Sequence, residues 1–390
     1  MKRKNILALI MAILMICTFV AACGDGGGTA PAAPAAPAAP ADAAPAAPAD
    51  AAAPAEAAPA APADADLPLV LLLGSHFGDR SFFDSAAGGI HRMQSELSGR
   101  VEARIIDIGT DTTRYQSAVL DASNTENPDI IIVGTWNMVE PVEVAAAANP
   151  HINYALFDDR IEGFDNVYSF MFRVNQGSYL AGMIAAEASA NGIIGFVGGM
   201  DNTPGIWDFL VGYIEGAQYV NPDIKVVVSY TNDFVDSARG KELGLAQINN
   251  NNVDVIFSVA GGAGAGVIEA AAESGIYVVG VDGDQAAQYE GRPEQEWIIT
   301  SSLKHVGNGM FNLVERTLNE GRFPAGFEFL GLEDGAVGVI IDDNTRRVVS
   351  QDFIDRVMAA EQEMKDGKRP VTSAWEVSEE AVAAIVASAR

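Results

Sequence analysis

The stretch GIIGFVGGMDNTPGIWDFLVGYIEGAQYV, residues 192–220, contains the repeating unit on which the fold prediction depends. Its first seven residues form an apolar run, a polar loop follows, and a helical stretch begins near Ile206. The run is almost continuously apolar, as expected for a parallel strand that is covered on both faces. Similar runs alternate with helical stretches from Leu67 onward, which predicts an α/β fold with parallel sheets.

Eleven strands are predicted, which is many for one open sheet in a chain of this length, so two lobes are expected. The predicted strands are 67–74, 101–109, 129–134, 153–157, 166–172, 192–198, 225–230, 254–260, 277–282, 297–301 and 336–341. The predicted helices are 81–98, 112–122, 176–190, 206–220, 237–249, 266–273, 305–320, 350–367 and 378–390. The last two helices are expected to pack on the outside of the fold.

The chain is strongly acidic. Its 390 residues include 24 Lys and Arg against 52 Asp and Glu, which gives a formal net charge of −28. Such a charge repels phosphate backbones and anionic lipid headgroups. Nucleic acid and the surface of an acidic membrane are therefore excluded as partners.

The N-terminus is predicted to be a lipoprotein signal peptide, residues 1–22. Basic residues at 2–4 precede the uncharged run 6–22, which ends in small residues. The sequence VAAC that ends at Cys23 resembles the bacterial lipobox, in which the cysteine is lipidated and becomes the mature N-terminus. An uncleaved anchor helix is the alternative, although 17 uncharged residues are close to the lower limit for spanning a bilayer.

Residues 23–66 are predicted to be a tether, because the tract 31–66 consists of Ala, Pro and acidic residues. At about 3.1 Å per residue, the extended tract would hold the following domain on the order of 100 Å from the membrane. Cys17 and Cys23 are the only cysteines, so the rest of the chain has neither a disulfide nor a cysteine metal site. The expected location is the cell membrane, with the protein lipid-anchored and facing away from the cytoplasm.

Residues that follow the predicted strands are candidate ligand contacts, since open α/β sheets bind ligands beyond the carboxyl ends of their strands. These loops combine aromatic rings, carboxylates, glycines and a lysine. The combination suits a neutral polar ligand with a flat apolar face, because rings stack and carboxylates accept hydrogen bonds from hydroxyl or ring N–H groups. The candidates are Asp79, Ser81, Phe82, Asp158, Phe209, Gly261, Gly264, Asp282 and Lys304.

Several of these residues also have a purely structural interpretation. Aromatic residues at helix starts, such as Phe82 and Phe209, often belong to the core. The loop Gly261–Gly266 lacks the G-x-G-x-x-G dinucleotide motif, because Val267 occupies the position of the third glycine. The loop is either a tight strand-to-helix turn or a place where the backbone approaches a ligand, with Asp282 binding vicinal hydroxyls.

Enzyme chemistry has little support in the sequence. Asp158 with Asp159, and Asp282 with Asp284, could act as acid–base pairs or magnesium ligands, but such pairs arise readily by chance in a chain this acidic. The four histidines are scattered, and neither a nucleophile elbow, a Walker loop nor an H-E-x-x-H motif is present. We predict no catalytic residue, no metal and no cofactor.

Eight motifs in order resemble the basic membrane protein family, the purine-nucleoside-receptor-like substrate-binding lipoproteins of ABC importers. The resemblance runs from about Leu67 to Pro370. The motifs are GDRSF at 78–82, which is similar to the family's D-[KR]-S-F-N, YALFD at 154–158, SYLAG at 178–182, GFVGG at 195–199, FLVGYIEGA at 209–217, DVIF at 254–257, GVDGDQ at 280–285 and TSSLK at 300–304.

The resemblance implies a two-lobed type I periplasmic-binding fold that traps a nucleoside between its lobes for delivery to a membrane permease. By position, Phe82 and Phe209 would sandwich the base, and Asp158 would form a hydrogen bond with it. Asp282 and Lys304 would hold the ribose, with the backbone of 261–264 close by. The family's Asn after the stacking Phe is Phe83 here, which removes a side-chain hydrogen-bonding group.

The lobes are expected to comprise 67–172 with about 302–320, and 173–301 with about 321–345, followed by a helical extension at 346–390. The chain is expected to cross between them near 172–176, near 300–302 and after Glu320. The predicted function is that of a monomeric solute-binding lipoprotein of an ABC importer, with a purine nucleoside as the favoured ligand. The alternatives are a binder or sensor of a sugar or other small polar solute on the same fold, and a nucleoside-processing enzyme.

Overall fold

The computed structural model describes residues 67–390. The predicted signal peptide, Cys23 and the tether lie outside the described residues. Twelve strands form two six-stranded sheets in this part of the chain. The first sheet contains β1 (Leu69–Gly74), β2 (Glu102–Asp107), β3 (Ile130–Gly134), β4 (Asn153–Phe157), β5 (Val167–Phe172) and β11 (Gly326–Leu330). The second contains β6 (Ile193–Gly198), β7 (Lys225–Tyr230), β8 (Val255–Val259), β9 (Tyr277–Asp282), β10 (Ile298–Lys304) and β12 (Val337–Val339).

The first sheet is parallel throughout, and the second is parallel except at one edge. The strand order is β11-β5-β4-β3-β1-β2 in the first sheet and β12-β10-β9-β8-β6-β7 in the second, with β12 antiparallel to β10. Central strands such as β3 and β8 are buried at every position, which explains their uninterrupted apolar sequences. The two sheets confirm the predicted α/β class. Each sheet has its own edge of strand carboxyl ends, where ligand-binding loops are expected.

Helices cover the faces of both sheets. They are α1 (Phe82–Glu96), α2 (Tyr115–Glu126), α3 (Val139–Ala148), α4 (Val174–Ala188), α5 (Pro204–Val220), α6 (Ser237–Asn251), α7 (Gly264–Ser274), α8 (Gln285–Gln288), α9 (Val306–Glu320), α10 (Asp343–Val348), α11 (Gln351–Lys365) and α12 (Glu379–Ser388). The sequence did not predict α3, α8 or α10. In α3, Pro141 lies in the first turn, where proline is tolerated because the backbone N–H there needs no helical partner.

The chain passes between the sheets three times in the described residues. The first passage follows β5, the second follows β10 at Lys304, and the third joins β11 to β12. The second passage lies a few residues beyond the predicted 300–302, because β10 extends to Lys304. The third also differs from prediction. Residues 326–330 pair with β5 in the first sheet, whereas 321–345 had been expected in the second lobe.

Helices α4 and α5 pack with their backbones almost in contact. A Cβ atom on Gly212 would lie 2.1 Å from the carbonyl oxygen of Asn175, and one on Gly216 would lie 1.9 Å from that of Tyr179. Only glycine permits this approach. The close packing fixes the axis of α5, and thereby the position of Phe209 in the second turn of that helix.

A buried carboxylate holds the C-terminal segment against α5. Asp208 is fully buried and accepts hydrogen bonds from the Ser373 hydroxyl at 2.8 Å, the Ala374 N–H at 2.8 Å and the Asn175 N–H at 3.2 Å. Burial raises its pKa to about 6 despite these donors. Asp208 thus joins α5, the start of α4 and the chain that leads to α12.

Candidate functional site

The loops at the carboxyl ends of β1 and β9 meet at a buried hydrogen bond between the two sheets. The Ser81 hydroxyl donates to Oδ2 of Asp282, and both side chains are buried. Asp282 ends β9 with a φ of +65°, a conformation in which Asp is among the tolerated residues. Burial raises the pKa of Asp282 to about 6, while the positive charge of Lys304 and the Ser81 hydrogen bond lower it.

A second polar contact between the sheets joins Lys304 to Asp158. Lys304 ends β10 and is 6% exposed, and its Nζ forms an ion pair with Oδ2 of Asp158, which follows β4 at a φ of +67°. A buried ammonium is costly unless paired, and here it has both a carboxylate and aromatic neighbours. Two predicted site residues that are 146 positions apart in sequence are thereby brought into contact.

Three aromatic rings surround the Lys304 ammonium. Its Nζ lies 4.7 Å from the ring centroid of Phe82, 5.4 Å from that of Phe172 and 5.9 Å from that of Phe209. Distances within about 6 Å are in the range of cation–π attraction. The two predicted stacking residues therefore lie near one cation, with one ring from the helix that follows β1 and the other from the helix that follows β6.

A cluster of aromatic rings packs against Phe82. Its ring centroid lies 5.0 Å from Phe83 in an edge-on arrangement and 5.4 Å from Phe157. Phe83 in turn contacts the rings of His76 at 5.9 Å and Phe77 at 6.1 Å. Phe83, which departs from the family motif, thus acts as a packing residue that orients Phe82. This role could not be predicted from the sequence, because nothing in the motif marks an aromatic cluster.

Asp79 interacts with the backbone of its own loop. Its carboxylate accepts hydrogen bonds from the N–H groups of Ser81 at 2.9 Å, Phe83 at 3.0 Å and Asp84 at 3.2 Å. Burial raises its pKa, although these three donors lower it. Asp79 therefore shapes the start of α1 and positions Ser81 and Phe82.

The glycine loop after β8 packs against the loop that follows β7. Gly261 has a φ of +54° and begins a 3-10 turn, Gly261–Ala263, beside the backbone of Phe234. A Cβ on Gly264 would lie 2.5 Å from the hydroxyl of Ser258, so this glycine permits tight packing inside the second sheet's own layer. The turn interpretation accounts for Gly264, and the left-handed conformation accounts for Gly261.

Arg80 and Gln285, which join the loops after β1 and β9, were not among the candidate site residues predicted from the sequence. Gln285 donates from Nε2 to the Arg80 carbonyl at 3.2 Å, and the Arg80 guanidinium lies 5.3 Å from the ring of Tyr289. Gln285 is the last residue of the GVDGDQ motif at 280–285, and its place in that motif was its only signal in the sequence. In residues 67–390, no group of three or more His, Cys, Asp or Glu side chains could hold a metal ion. Within the same range, no helix combines the length and apolar character needed to cross a membrane.

Comparison with known proteins places this architecture in a family. The family model of the PnrA-like ABC transporter substrate-binding proteins matches residues 68–369. Basic membrane protein D of Borreliella burgdorferi is 31% identical over 289 residues, which cover 72% of this chain and 81% of that protein. The ABC transporter nucleoside-binding protein BmpA of Lactococcus lactis is 31% identical over 313 residues, which cover 76% and 86% of the two chains.

A solved structure agrees with these relatives. The crystal structure of an ABC transporter solute-binding protein from Aeropyrum pernix K1 matches with a TM-score of 0.71 at 27% identity, covering 83% of this chain and 97% of that one. The predicted type I periplasmic-binding fold is confirmed, as is the role of an extracytoplasmic ABC solute-binding protein with a small-molecule ligand and a permease partner. The chain belongs to the family of PnrA-like ABC transporter substrate-binding proteins.

Proposed function

We propose that this protein binds a nucleoside, with a purine nucleoside preferred, in the cleft between its two sheets and delivers it to an ABC permease. One observation carries the proposal. Ser81, Asp158, Asp282 and Lys304 make polar contacts between the sheets beside the rings of Phe82 and Phe209. The name of the Lactococcus lactis relative, a nucleoside-binding protein, points to the same ligand class.

Different side chains of the cleft would bind the base and the ribose of such a ligand. Phe82 and Phe209 offer apolar rings to a base, and stacking adds about 0.5–1.5 kcal/mol beyond the burial of surface. Asp158 accepts from the N–H groups of the base, while Asp282 and Lys304 hold the ribose hydroxyls. An unpaired buried carboxylate would penalise ligands that lack the matching donors.

Ligand binding would favour a closed arrangement of the lobes. The three passages of the chain, after β5, after β10 and between β11 and β12, are the proposed hinges. The contacts of Ser81 with Asp282 and of Lys304 with Asp158 join residues of the two lobes and would be rearranged as ligand hydroxyls and N–H groups take their place. Such hinge closure is the usual response of a two-lobed binding protein.

We further propose that the protein is a monomeric lipoprotein anchored through Cys23 and that it has no catalytic activity. Incorporation of labelled palmitate by the natural chain, and its loss in Cys23→Ala, would test the anchor. Light scattering during gel filtration would test the monomer. Recovery of intact nucleoside after prolonged incubation would separate a binder from a nucleoside hydrolase.

The ligand class is tested by a thermal-shift panel of guanosine, adenosine, inosine, uridine, free guanine and ribose. We expect guanosine or inosine to raise the melting temperature more than guanine or ribose alone, since each lacks one of the two sets of contacts. A shift with ribose that equals the shift with guanosine would favour a sugar binder. No shift with any of the six compounds would refute the nucleoside proposal.

A further inference from the structure

Trp136 is a large, exposed aromatic residue at the carboxyl end of β3, and the proposed ligand contacts do not include it. It begins a 3-10 turn, Trp136–Met138, and is 46% exposed. Thr135, just before it, has a φ of +80°, which is a genuine outlier for a β-branched residue. Outliers of this kind persist where the surrounding structure enforces them, and they concentrate at functional sites.

The strained turn is held by backbone hydrogen bonds on both sides. The Thr135 N–H donates to the carbonyl of Phe157 at 2.9 Å, and the Met138 N–H donates to the carbonyl of Thr135 at 3.0 Å. Phe157 also packs against Phe82. The backbone turn that carries Trp136 is therefore joined to Phe157 at the end of β4, the same residue whose ring packs against Phe82.

Trp136 contacts an aromatic ring from the other sheet. Its ring centroid lies 6.4 Å from that of Phe234, with an angle of 47° between the planes. Phe234 lies in the loop after β7, and a Cβ on Gly199 would approach its ring to 2.1 Å, so the ring rests directly on backbone. The Phe234 carbonyl also accepts from the Ala263 N–H at 3.1 Å. Phe234 is thus a fixed platform on the second sheet.

This aromatic pair differs from the two polar contacts between the sheets. Those contacts use Ser81, Asp282, Asp158 and Lys304, which are the groups proposed to bind ligand. The aromatic pair uses none of them and includes a half-exposed ring. It can therefore persist when ligand hydroxyls replace the polar contacts, as can the contact of Arg80 with Gln285.

We propose that Trp136 and Phe234 form an interlobe latch that stabilises the closed lobes, which makes Trp136 an affinity-determining residue outside the ligand's own contacts. The effect on ligand affinity rests on the proposed function, whereas the contact itself does not. Since apparent affinity scales with the fraction of binding-competent closed protein, loss of the latch weakens binding and speeds release. An aromatic pair of this kind corresponds to about a twofold to tenfold change.

The test uses full-length protein that contains 5-fluorotryptophan. The Trp136 signal among the four tryptophans is assigned with Trp136→Phe, and its ¹⁹F shift is compared with and without Phe234→Ala. The dissociation rate of guanosine is then measured for Trp136→Ala, Phe234→Ala and the double variant. Tyr219→Ala is the matched control, because Tyr219 is 48% exposed and lies on α5, where it contacts Tyr179.

The latch predicts that Phe234→Ala moves the Trp136 signal and leaves the other three in place. It also predicts that both single substitutions and the double variant speed guanosine release to a similar extent, while Tyr219→Ala leaves the rate unchanged. An unmoved Trp136 signal would overturn the proposal, as would additive effects of the two substitutions. If guanosine does not bind, the proposed function fails, and the ¹⁹F comparison alone decides whether the latch exists.

Discussion

The role proposed for Asp282 leads to a quantitative prediction about ribose hydroxyls. Asp282 is buried and accepts a hydrogen bond from the Ser81 hydroxyl. It is the side chain proposed to bind the vicinal hydroxyls of a nucleoside. A hydrogen bond to a charged group contributes about 1.5–3 kcal/mol. The loss of one such bond from the complex raises the dissociation constant by about tenfold to 150-fold. Asp282→Asn keeps the shape of the side chain and removes the charge, so it is the informative substitution.

The assay is isothermal titration of the natural protein and of Asp282→Asn, each with guanosine and with 2′,3′-dideoxyguanosine. We expect the substitution to weaken guanosine binding by about tenfold to 150-fold. Dideoxyguanosine binding should change by less than about threefold, because this ligand lacks the hydroxyls that would bind the Asp282 carboxylate. Equal losses for both ligands would refute the assignment of Asp282 to the ribose.

Further predictions follow from three buried residues. Burial raises the pKa of Asp282 to about 6, so guanosine affinity measured by titration should fall by up to about tenfold per pH unit below pH 6, and this dependence should be absent in Asp282→Asn. In the free protein the same raised pKa has the opposite effect, because protonation of a buried carboxyl increases the free energy of unfolding as the pH falls from 7 toward 4. Gly212→Ala should lower the free energy of unfolding in urea by about 1–3 kcal/mol, since its Cβ would meet the Asn175 carbonyl at 2.1 Å, whereas Gly205→Ala in the same helix, whose Cβ has its nearest neighbour at 3.5 Å, should change it little. Asp208→Ala should cost about 2–4 kcal/mol because three buried donors lose their acceptor, and a loss below about 0.5 kcal/mol would contradict that account.

Most of the fold could be predicted from the sequence because its strands are buried on both faces. Three strands, 153–157, 225–230 and 277–282, were predicted with their observed bounds. The missed strand, β11, lies at the edge of its sheet, and its sequence GFEFL places a charged residue between two aromatic rings. A half-exposed edge strand lacks the continuous apolar run that identified the others. That single omission also shifted the predicted lobe boundary after Glu320.

The candidate site was predictable as a set of residue positions and not as a set of contacts. The rule that ligands bind beyond strand carboxyl ends, together with the family motifs, selected Ser81, Asp282, Asp158 and Lys304. The contacts of Ser81 with Asp282 and of Asp158 with Lys304 depend on how two separate sheets face each other, which no local pattern encodes. The contact of Trp136 with Phe234 has the same origin.

Direct titration tests whether the cleft binds a nucleoside between two aromatic rings. The protein would be stripped of bound ligand by unfolding and refolding, then titrated with guanosine in the natural form, in Phe82→Leu and in Phe209→Leu. We expect saturable one-to-one binding of guanosine that both substitutions weaken by about twofold to tenfold, since leucine keeps apolar volume and loses the ring. Guanosine binding that is unchanged in both variants, or a folded natural protein that releases no heat with guanosine, would contradict it.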